Sequence, residues 1–282
     1  RRQLMPQHPR RRPRHLPPLR RKPDPGITRR METRRLRLLS ANIQAGSSTR
    51  GYQDYVTRSW SHVLPAGNKR GALDTIAELA GRHDIVGLQE SDPGSLRSGF
   101  TNQTHYLAQR GGFAYWSHQP NRRMGGVASS ANGLLSKLEP KRVEEHSLPG
   151  RVKGRGVLIG TFGNGDDALT VAVAHLSLGS GSRKSQIDFI AELLGDHPHA
   201  VLMGDFNCDP DQPEMQGLYR NTRLQPPADC VPTFPSWRPQ RAIDHVLVTP
   251  ALAIATMQAM PAAHSDHLAL SVELDVPEHA LG

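Results

Sequence analysis

From Arg34 onward, short apolar runs alternate with segments of helical periodicity. Apolar side chains three and four positions apart predict helices over 71–82 and 184–194. Short runs that are apolar, or alternate apolar with polar positions, predict about ten β-strands. The predicted strands are 36–43, 84–89, 113–116, 126–138, 157–162, 169–176, 200–203, 242–248, 254–260 and 268–274. This succession, without an internal repeat or a break in composition over 34–275, predicts a single α/β domain.

Two long connections interrupt the pattern, over 44–69 and 209–240. Both lack periodicity and are rich in glycine, serine, proline and aromatic residues. Loops of this length inside a compact domain are usually functional or disordered. We therefore expect these two connections to border a functional site or to lack fixed structure.

Polar side chains of the types that carry chemistry stand at the ends of six predicted strands. They are Asn42, Glu90, His175, Asp205 with Asn207, Asp244 with His245, and Ser265 to His267. Taken one at a time, each has an ordinary interpretation as a turn residue, a cap or a satisfied core histidine. In α/β sheets, however, strand ends and their loops form the crevice where ligands bind. Together these carboxylates, amides and imidazoles indicate hard-cation and phosphate chemistry.

Length and composition exclude several classes of protein. A chain of 282 residues with 37% hydrophobic residues is long enough to bury a sizeable core. With only two cysteines, it is not a small disulfide scaffold. No stretch reaches the roughly 18 consecutive apolar residues that mark a membrane-spanning helix, so we expect a soluble protein.

The formal net charge of +9 is confined to the beginning of the chain. Residues 1–30 hold eleven basic side chains and one acidic side chain, which leaves 24 basic and 25 acidic side chains in the rest. This leader also holds seven prolines and few residues that could build a core, so we predict that 1–30 is disordered and 31–282 forms the folded domain. A basic arm could bind nucleic acid or an anionic membrane; alternatively, the leader is a solvated tail or lies upstream of a natural start at Met31.

The order of the strand-end residues resembles a known family. The succession of Asn42, LQE, HL, GDFN, IDH and SDH is similar to the endonuclease/exonuclease/phosphatase superfamily, over roughly 34–275. GDFN and SDH, each beside an apolar strand, are specific as a pair. Arg183 and Gln186 at the start of a helix add to the resemblance, as in many members. The resemblance implies a DNase I-like fold, a four-layer α-β-β-α sandwich of two mixed β-sheets.

The resemblance also implies hydrolysis of a phosphoester bond with a divalent metal, usually Mg²⁺ with Mn²⁺ as a substitute. Glu90 resembles the principal metal carboxylate, helped by Asn42 and Asp266. Hard oxygen ligands suit Mg²⁺, which binds through one or two carboxylates and the substrate phosphate. Gln44 stands where the endonuclease branch commonly carries an acidic residue, and this favours a single metal.

Five residues match catalytic positions of the family. Asp205 resembles the residue that orients or deprotonates the attacking water, and Asn207 the donor to a phosphate oxygen. His267 paired with Asp244 resembles the family's His–Asp couple, whose role as base or as phosphate stabiliser stays open. His175, as in DNase I-like and sphingomyelinase-like members, would protonate or hydrogen-bond the leaving oxygen. Cys208, directly after GDFN, is interpreted as a packing residue.

The substrate is less well defined than the chemistry. Nucleic acid is the first hypothesis, although a nonspecific DNA nuclease would more often show a basic face than this near-neutral domain does. Basic residues concentrated in 122–155 form a local patch that could contact a polyanion or simply be solvated, and aromatic residues in the long connections could stack on bases, meet an acyl chain or anchor the loops. These aromatic residues are Tyr52, Tyr55, Trp60, Phe234 and Trp237. The alternatives are a phospholipid head group or another small phosphoester, or a binding protein without turnover. No obligate protein partner is evident, and the absence of a signal peptide and of a disulfide framework predicts a cytoplasmic protein.

Overall fold

The computed structural model describes residues 32–43, 69–95, 98–124, 128–150, 154–263 and 265–282. Four groups of predictions lie outside these residues. They concern the leader 1–30, the first long connection over 44–68, the possible metal position Gln44 with the aromatic residues Tyr52, Tyr55 and Trp60 in that connection, and the basic residues Arg151 and Lys153. Within the described part, no helix combines the length and apolar character needed to cross a membrane.

The first sheet has six strands, in the order β10-β11-β1-β2-β4-β3. Its strands are β1 (Thr33–Asn42), β2 (Ile85–Ser91), β3 (Tyr115–Met124), β4 (Ala128–Ser136), β10 (Ala253–Pro261) and β11 (Leu268–Pro277). β1 and β2 run parallel, and every other pairing is antiparallel. The sheet is therefore mixed, with its parallel pair at the centre.

The second sheet has five strands, in the order β5-β6-β7-β8-β9. Its strands are β5 (Arg142–Ser147), β6 (Gly156–Phe162), β7 (Leu169–His175), β8 (Ala200–Asp205) and β9 (Asp244–Val248). Here β7 and β8 are the parallel pair, and the other pairings are antiparallel. Each sheet thus contains one parallel pair, which needs a crossover connection.

Helices supply those crossovers and cover the outer faces. The described α-helices are α1 (Lys69–Ala80), α2 (Gln103–Gly111), α3 (Ser180–Leu194) and α4 (Pro213–Asn221), followed by a 3₁₀ turn at Glu278–Leu281. α1 lies between β1 and β2 in the chain, and α3 lies between β7 and β8. Because parallel strands present their carboxyl ends at the same edge, β1 and β2 end together, as do β7 and β8.

Three apolar layers hold the sandwich together. The central layer lies between the sheets and contains Leu38 and Ile85 from one sheet with Val173 and Met203 from the other. A second layer packs α1 and α2 on the first sheet, and a third packs α3 and α4 on the second sheet. The predicted four-layer α-β-β-α sandwich of two mixed sheets is confirmed.

The differences from the predicted elements are local. The sequence pattern missed β5, because this edge strand is largely exposed and has no apolar alternation. It also missed α2 and α4, each nine residues long. The prediction that 209–240 has no periodicity is wrong for Pro213–Asn221, where Met215 and Leu218 form a short buried stripe. Strand β3 begins at Tyr115 and runs to Met124, further than the predicted 113–116.

Candidate active site

Four of the predicted site residues lie at the carboxyl ends of the two parallel strand pairs, at one end of the sandwich. Asn42 ends β1, Glu90 lies at the end of β2, His175 ends β7, and Asp205 ends β8. β9 runs antiparallel to β8 and starts at Asp244, which pairs with Asp205. The strand directions alone therefore gather these residues at one edge.

β11 brings the last two residues to the same end. It runs antiparallel to β1, so that its start lies beside the end of β1, and Asp266 and His267 stand directly before it. Ser265 fixes this junction, because its hydroxyl donates to the carbonyl oxygen of Asn42 at 2.6 Å and accepts from the backbone N–H of His267 at 3.1 Å. This contact links the two strand ends across 223 positions of sequence.

Asp205 lies at the centre of the site. Its Oδ2 accepts a hydrogen bond from Nδ2 of Asn42 at 3.0 Å and lies 3.3 Å from Nε2 of His175. Nε2 of His267 is 3.8 Å from the same oxygen. The other oxygen, Oδ1, accepts from the backbone N–H of Asn207 at 3.0 Å. One buried carboxylate thus touches or faces four of the predicted residues.

His267 and Asp244 form a hydrogen-bonded couple. Nδ1 of His267 is 2.8 Å from Oδ2 of Asp244, which also accepts from the hydroxyl of Thr233 at 2.5 Å. The ring of Phe234 packs on the imidazole of His267 with centroids 5.0 Å apart. These contacts hold the imidazole with Nε2 directed toward Asp205.

The electrostatics of this couple favour a charged imidazole. Burial alone would lower the pKa of His267, but the neighbouring carboxylates of Asp244 and Asp205 raise it to about 10. Burial raises the pKa of Asp205, and Asp244 adds to this, while the positive charge of His267 opposes it. The two residues thus stabilise each other's charged forms.

His175 behaves differently from His267. It is fully buried, and burial lowers its pKa well below the usual range, helped by the positive charges of Arg155 and His267. Its Nε2 lies 3.9 Å from Oε1 of Glu90 as well as close to Asp205. A neutral imidazole is the consequence, so of the two interpretations of His175, hydrogen bonding to the leaving oxygen fits better than protonation.

Glu90 and Asn207 hold a backbone conformation that is uncommon for side chains other than glycine. Their φ angles are +57° and +54°, and a bulge in the β2–β4 ladder accompanies the turn at Glu90. Left-handed residues of this kind persist where the surrounding structure imposes them, and they cluster at functional sites. In Asn207, Nδ2 donates to the carbonyl oxygen of Leu176 at 3.0 Å.

The carboxylates at this end of the sandwich have the chemistry of a cation site. Oε1 of Glu90 lies 3.9 Å from Nε2 of His175, and Oδ1 of Asp266 lies 3.9 Å from Nε2 of His267, so both carboxylates border the site. The pKa of Asp266 is raised chiefly by burial, with a smaller contribution from the negative charge of Glu90. With Asn42 next to Asp205, they form a set of oxygen donors that fits a hard divalent cation. The residues predicted as metal ligands are therefore gathered in one place.

A second group also has the composition of a metal site. Among the described residues, Asp205, Asp244 and His267 offer ligand atoms within 4.8 Å of one another. However, Oδ2 of Asp244 already accepts from His267 and from Thr233. We therefore interpret this group as a His–Asp couple beside the central carboxylate.

Arg183 has a structural role beside the site. It neither reaches into the site nor lies in solvent, because its guanidinium is buried and pairs with the buried carboxylate of Glu214 at 2.8 Å. The same side chain donates to the carbonyl oxygen of Leu178, and Gln186 bonds both the backbone N–H and the hydroxyl of Ser177 at 2.9 Å. Both residues thus hold the loop that follows His175.

Sequence reasoning missed two residues of the site. Thr233 lies in an aperiodic connection, and nothing in its sequence context indicates that it meets Asp244. Arg155 was one of several basic residues in 122–155, and only the fold shows that its charge reaches His175. Cys208 is buried in the core with its thiol pKa raised to about 12 by burial, and His245 bonds the carbonyl oxygen of Cys208, so neither enters the site.

Comparisons with known proteins agree with this architecture. The sequence model of the Endonuclease/Exonuclease/phosphatase family matches residues 39–267. A comparison with curated proteins found no match. The structure is similar to that of an endonuclease/exonuclease/phosphatase from Beutenbergia cavernae, with a TM-score of 0.65, 21% identity, and coverage of 86% of this chain and 72% of that one.

Two further similar structures are those of a phosphatase and of a catalytic domain with a bound anion. A mannosyl-6-phosphatase from Bacteroides thetaiotaomicron has 17% identity and a TM-score of 0.58, with 85% of this chain and 99% of that chain covered. The catalytic domain of human Nocturnin with a bound sulfate anion also has 17% identity and a TM-score of 0.58, with 85% and 94% covered. At such identities the likeness shows a shared fold.

Proposed function

Because the chain belongs to the endonuclease/exonuclease/phosphatase family, we propose that it is a divalent-metal-dependent phosphodiesterase that acts on nucleic acid by attack of water on phosphorus. The observation that carries this proposal is the arrangement around Asp205. One buried carboxylate there faces two imidazoles and an amide at the end of the sandwich. Arrangements of this kind place a proton acceptor beside hydrogen-bond donors for a developing oxyanion.

Glu90, Asp266 and Asn42 would hold the metal, for which Mg²⁺ is the best fit and Mn²⁺ a substitute. When bound, a divalent cation would neutralise charge on the phosphate and polarise its P–O bonds. The raised pKa of Asp266 near Glu90 supports this assignment, since a cation relieves the repulsion between a buried and a partly exposed carboxylate.

Asp205 is the proposed general base. Its pKa is raised by burial, so its carboxylate has a proton affinity closer to neutral pH than that of an exposed aspartate. The hydrogen bonds from Asn42 and from the backbone of Asn207 fix the direction of its two oxygens. A water held by Asp205 would give up its proton there as its oxygen forms the new bond to phosphorus.

His267 is the proposed donor to the phosphate oxygens, in preference to the role of a base. With its pKa raised to about 10 by Asp244 and Asp205 against the effect of burial, the ring is a cation at neutral pH. A cation with Nδ1 committed to Asp244 can donate from Nε2 to an oxygen that gains negative charge. It is therefore better suited to stabilise the transition state than to accept a proton.

Asn207 and His175 complete the proposed machinery. The amide nitrogen of Asn207 carries two hydrogens, and one of them is used by the carbonyl oxygen of Leu176. The second would donate to a phosphate oxygen. His175, as a neutral ring, would donate from Nε2 to the leaving oxygen as its bond to phosphorus breaks.

Nucleic acid is favoured as substrate by the residues beside His267. Trp237 and Arg238 are adjacent and exposed, and the loop that carries them is anchored by a hydrogen bond from Ser236 N–H to the carbonyl oxygen of Asp266 at 2.7 Å. An exposed indole next to a guanidinium can stack on a base and neutralise a phosphate. Arg155 adds a positive charge on the His175 side.

A phospholipid is the second candidate, because two apolar side chains on loops are unusually exposed. Leu178 follows His175 by three positions and is 78% exposed. Phe100, in the connection after β2, is 73% exposed. Exposed apolar side chains on loops can contact acyl chains at a membrane surface. This observation favours a lipid phosphodiester over a small soluble phosphoester.

One substrate panel tests the proposal. The full chain is incubated with Mg²⁺ and, separately, with plasmid DNA, RNA, sphingomyelin vesicles, phosphoinositide vesicles and a sugar phosphate. We expect cleavage of DNA or RNA, complete loss of turnover in EDTA, and recovery with Mg²⁺ or Mn²⁺. Turnover of sphingomyelin or phosphoinositides alone would replace nucleic acid with a lipid, and turnover that survives EDTA would contradict the metal assignment.

Substitutions of Trp237 and Arg238, with a matched control, test whether these two residues bind DNA. Trp237→Ala and Arg238→Met should each raise the KM for DNA severalfold with little change in kcat, since both act on binding. Arg220→Met, an exposed change in the last turn of α4, serves as the control and should leave both constants unchanged. Equal effects of Arg220→Met and Arg238→Met would contradict a specific contact beside His267.

A further inference from the structure

Four buried amide side chains form a row across the inner face of the first sheet. Asn42 on β1 pairs with Gln89 on β2, and Gln119 on β3 pairs with Asn132 on β4. β2 and β4 are neighbours, and Gln89 and Asn132 lie at the bulge in their ladder. All four are at least nine-tenths buried. The inner face of a sandwich normally carries apolar side chains, so a row of amides requires an explanation.

The middle of this row reaches the strand that carries His175. Nδ2 of Asn132 donates to the carbonyl oxygen of Gly156 at 2.7 Å and is 3.5 Å from that of Val173. Val173 precedes His175 by two positions on β7, so their side chains share one face of the sheet. Asn132 is thereby placed against β7 just below His175.

Gln89 faces the same region. A Cβ on Gly87 would lie 2.9 Å from Cγ2 of Val173, so β2 and β7 face one another at this level. Gln89 follows Gly87 by two positions on the same face, as His175 follows Val173. Gln89, Asn132 and His175 therefore line one part of the layer between the sheets.

Three buried atoms in this region lack a hydrogen-bond partner among the described residues. They are Oε1 of Gln89, Oδ1 of Asn132 and Nδ1 of His175. The two amide oxygens are acceptors only. Because Nδ2 of Asn132 already donates to two carbonyl oxygens, the orientation of this amide is fixed.

The neighbours of His175 decide which nitrogen carries the ring proton. Nε2 faces Oδ2 of Asp205 at 3.3 Å and Oε1 of Glu90 at 3.9 Å. Two carboxylate oxygens on that side favour the proton on Nε2, which leaves Nδ1 as an acceptor. Among the described residues, this region thus contains three acceptors and no donor that serves them.

A water molecule supplies two donors, so at least two water molecules are needed to serve three acceptors. Buried waters typically bond to polar groups that are otherwise unsatisfied. We propose that Gln89 and Asn132 hold internal water that donates a hydrogen bond to Nδ1 of His175 and so fixes this imidazole in the neutral Nε2–H tautomer. The consequence for catalysis rests on the proposed function: the ring proton is kept on the side of the reacting phosphate. Gln89 and Asn132 are positioning residues, since they act through His175.

The tautomer can be observed directly. The full chain is labelled with ¹⁵N-histidine, and long-range ¹H–¹⁵N spectra are recorded at pH 7.5, with the His175 signals assigned from a His175→Gln variant. We expect the Nε2–H tautomer, with the Nδ1 resonance shifted as for a nitrogen that accepts a hydrogen bond. A proton found on Nδ1 of His175 would overturn the inference.

A variant tests the role of the amide row. Asn132→Leu keeps the approximate volume and removes the polar atoms, so the Nδ1 resonance should move toward that of a nitrogen without a hydrogen bond and the second tautomer should increase. For a phosphodiester with a poor leaving group, such as a DNA oligonucleotide, we expect kcat to fall by about 10- to 100-fold with little change in KM. The hydrolysis of bis-p-nitrophenyl phosphate should fall less, because its leaving oxygen needs little help from a donor. If Asn132→Leu does not fold, Gln89→Leu and the wild-type spectrum provide the same test.

Thr170→Val is the matched control. Thr170 lies at the opposite end of β7, and its hydroxyl is also buried without a partner in the described part of the chain. This change should alter neither the His175 spectrum nor kcat. Unchanged nitrogen shifts in Asn132→Leu would contradict the inference even in an active enzyme. The predicted spectra in a chain that hydrolyses no phosphoester would instead support the water bridge and remove the proposed function.

Discussion

Gly204 controls how closely β8 approaches β7 directly before Asp205. Its φ is +145°, and a Cβ at this position would lie 1.9 Å from the carbonyl oxygen of Ala174. Non-bonded heavy atoms do not approach to such a distance, so in Gly204→Ala the two strands must separate by more than about 1 Å. Ala174 and Gly204 precede His175 and Asp205, so the displacement falls on the two residues that face each other in the site.

The expected effect on activity and stability follows from that geometry. A misplacement of about 1 Å in a catalytic group can reduce turnover about 100-fold, so we expect kcat for bis-p-nitrophenyl phosphate to fall by about that factor. The uncommon backbone conformation adds about 1–3 kcal/mol of strain for any residue with a Cβ, which should appear as a lower free energy of unfolding in urea.

Gly217→Ala provides the control for this experiment. Gly217 lies in α4, where an added Cβ would meet only Oδ1 of Asp188, at 3.9 Å, among the described atoms. The change should stabilise the protein by up to about 1 kcal/mol, because alanine is the better helix former, and should leave kcat unchanged. Wild-type turnover and stability in Gly204→Ala would refute the explanation of why glycine precedes Asp205.

Three further predictions concern stability and can be measured by urea or thermal unfolding. Thr170→Val should stabilise the protein by about 1 kcal/mol, because it removes a buried hydroxyl without a partner; a loss of stability would show that the hydroxyl is bonded. Arg183→Met should destabilise the protein by about 3–5 kcal/mol, because it leaves the Glu214 carboxylate buried and unpaired. The double variant Arg183→Met with Glu214→Leu should recover most of the lost free energy of unfolding. A double variant as unstable as the single one would contradict the pairing. Burial lowers the pKa of His83 in the folded state, so the neutral ring contributes fully to the free energy of unfolding above the unfolded-state pKa of about 6.5, and this contribution is lost as the pH falls below that value. The His83→Gln variant should therefore lose less stability than wild type between pH 7 and pH 5. Equal losses in the two proteins would contradict the lowered pKa.

The strands that build the core were predictable because their side chains are apolar on both faces. β7 and β8 read as continuous buried runs, as expected for strands covered by a helix layer on one side and a second sheet on the other. β5 carries exposed side chains at an edge, so its sequence has no such signal. α2 has few apolar positions and ends at a glycine in the left-handed conformation, and its helical character depends on the Asn102 cap and on packing against its sheet.

The residues gathered at the strand ends were predictable for a topological reason. Asn42, His175 and Asp205 each terminate a strand of a parallel pair, and the pattern of strand followed by polar residue is visible in the sequence. Glu90 lies at a bulge, yet it follows the same apolar run.

The supporting contacts could not be predicted in this way. Thr233 meets Asp244 through a connection without periodicity, and the pairing of Arg183 with Glu214 depends on how α3 and α4 pack. The amides of Gln89 and Asn132 occupy positions that the pattern assigns to strands, but only the register of β2, β4 and β7 shows that they lie beneath His175. Such contacts join residues far apart in sequence, and single-sequence periodicity contains no information about them.

The measurement that tests the central claim most directly is the turnover of Asp205→Asn on bis-p-nitrophenyl phosphate in Mg²⁺. Asparagine keeps the oxygen that accepts from Asn42 but cannot take the proton of the attacking water, so folding should be preserved while kcat falls by about 10²–10⁴-fold. Asp188→Asn, which alters an exposed ion pair with Lys184 on α3, is the control and should keep wild-type turnover. A folded Asp205→Asn protein with wild-type turnover would contradict the account.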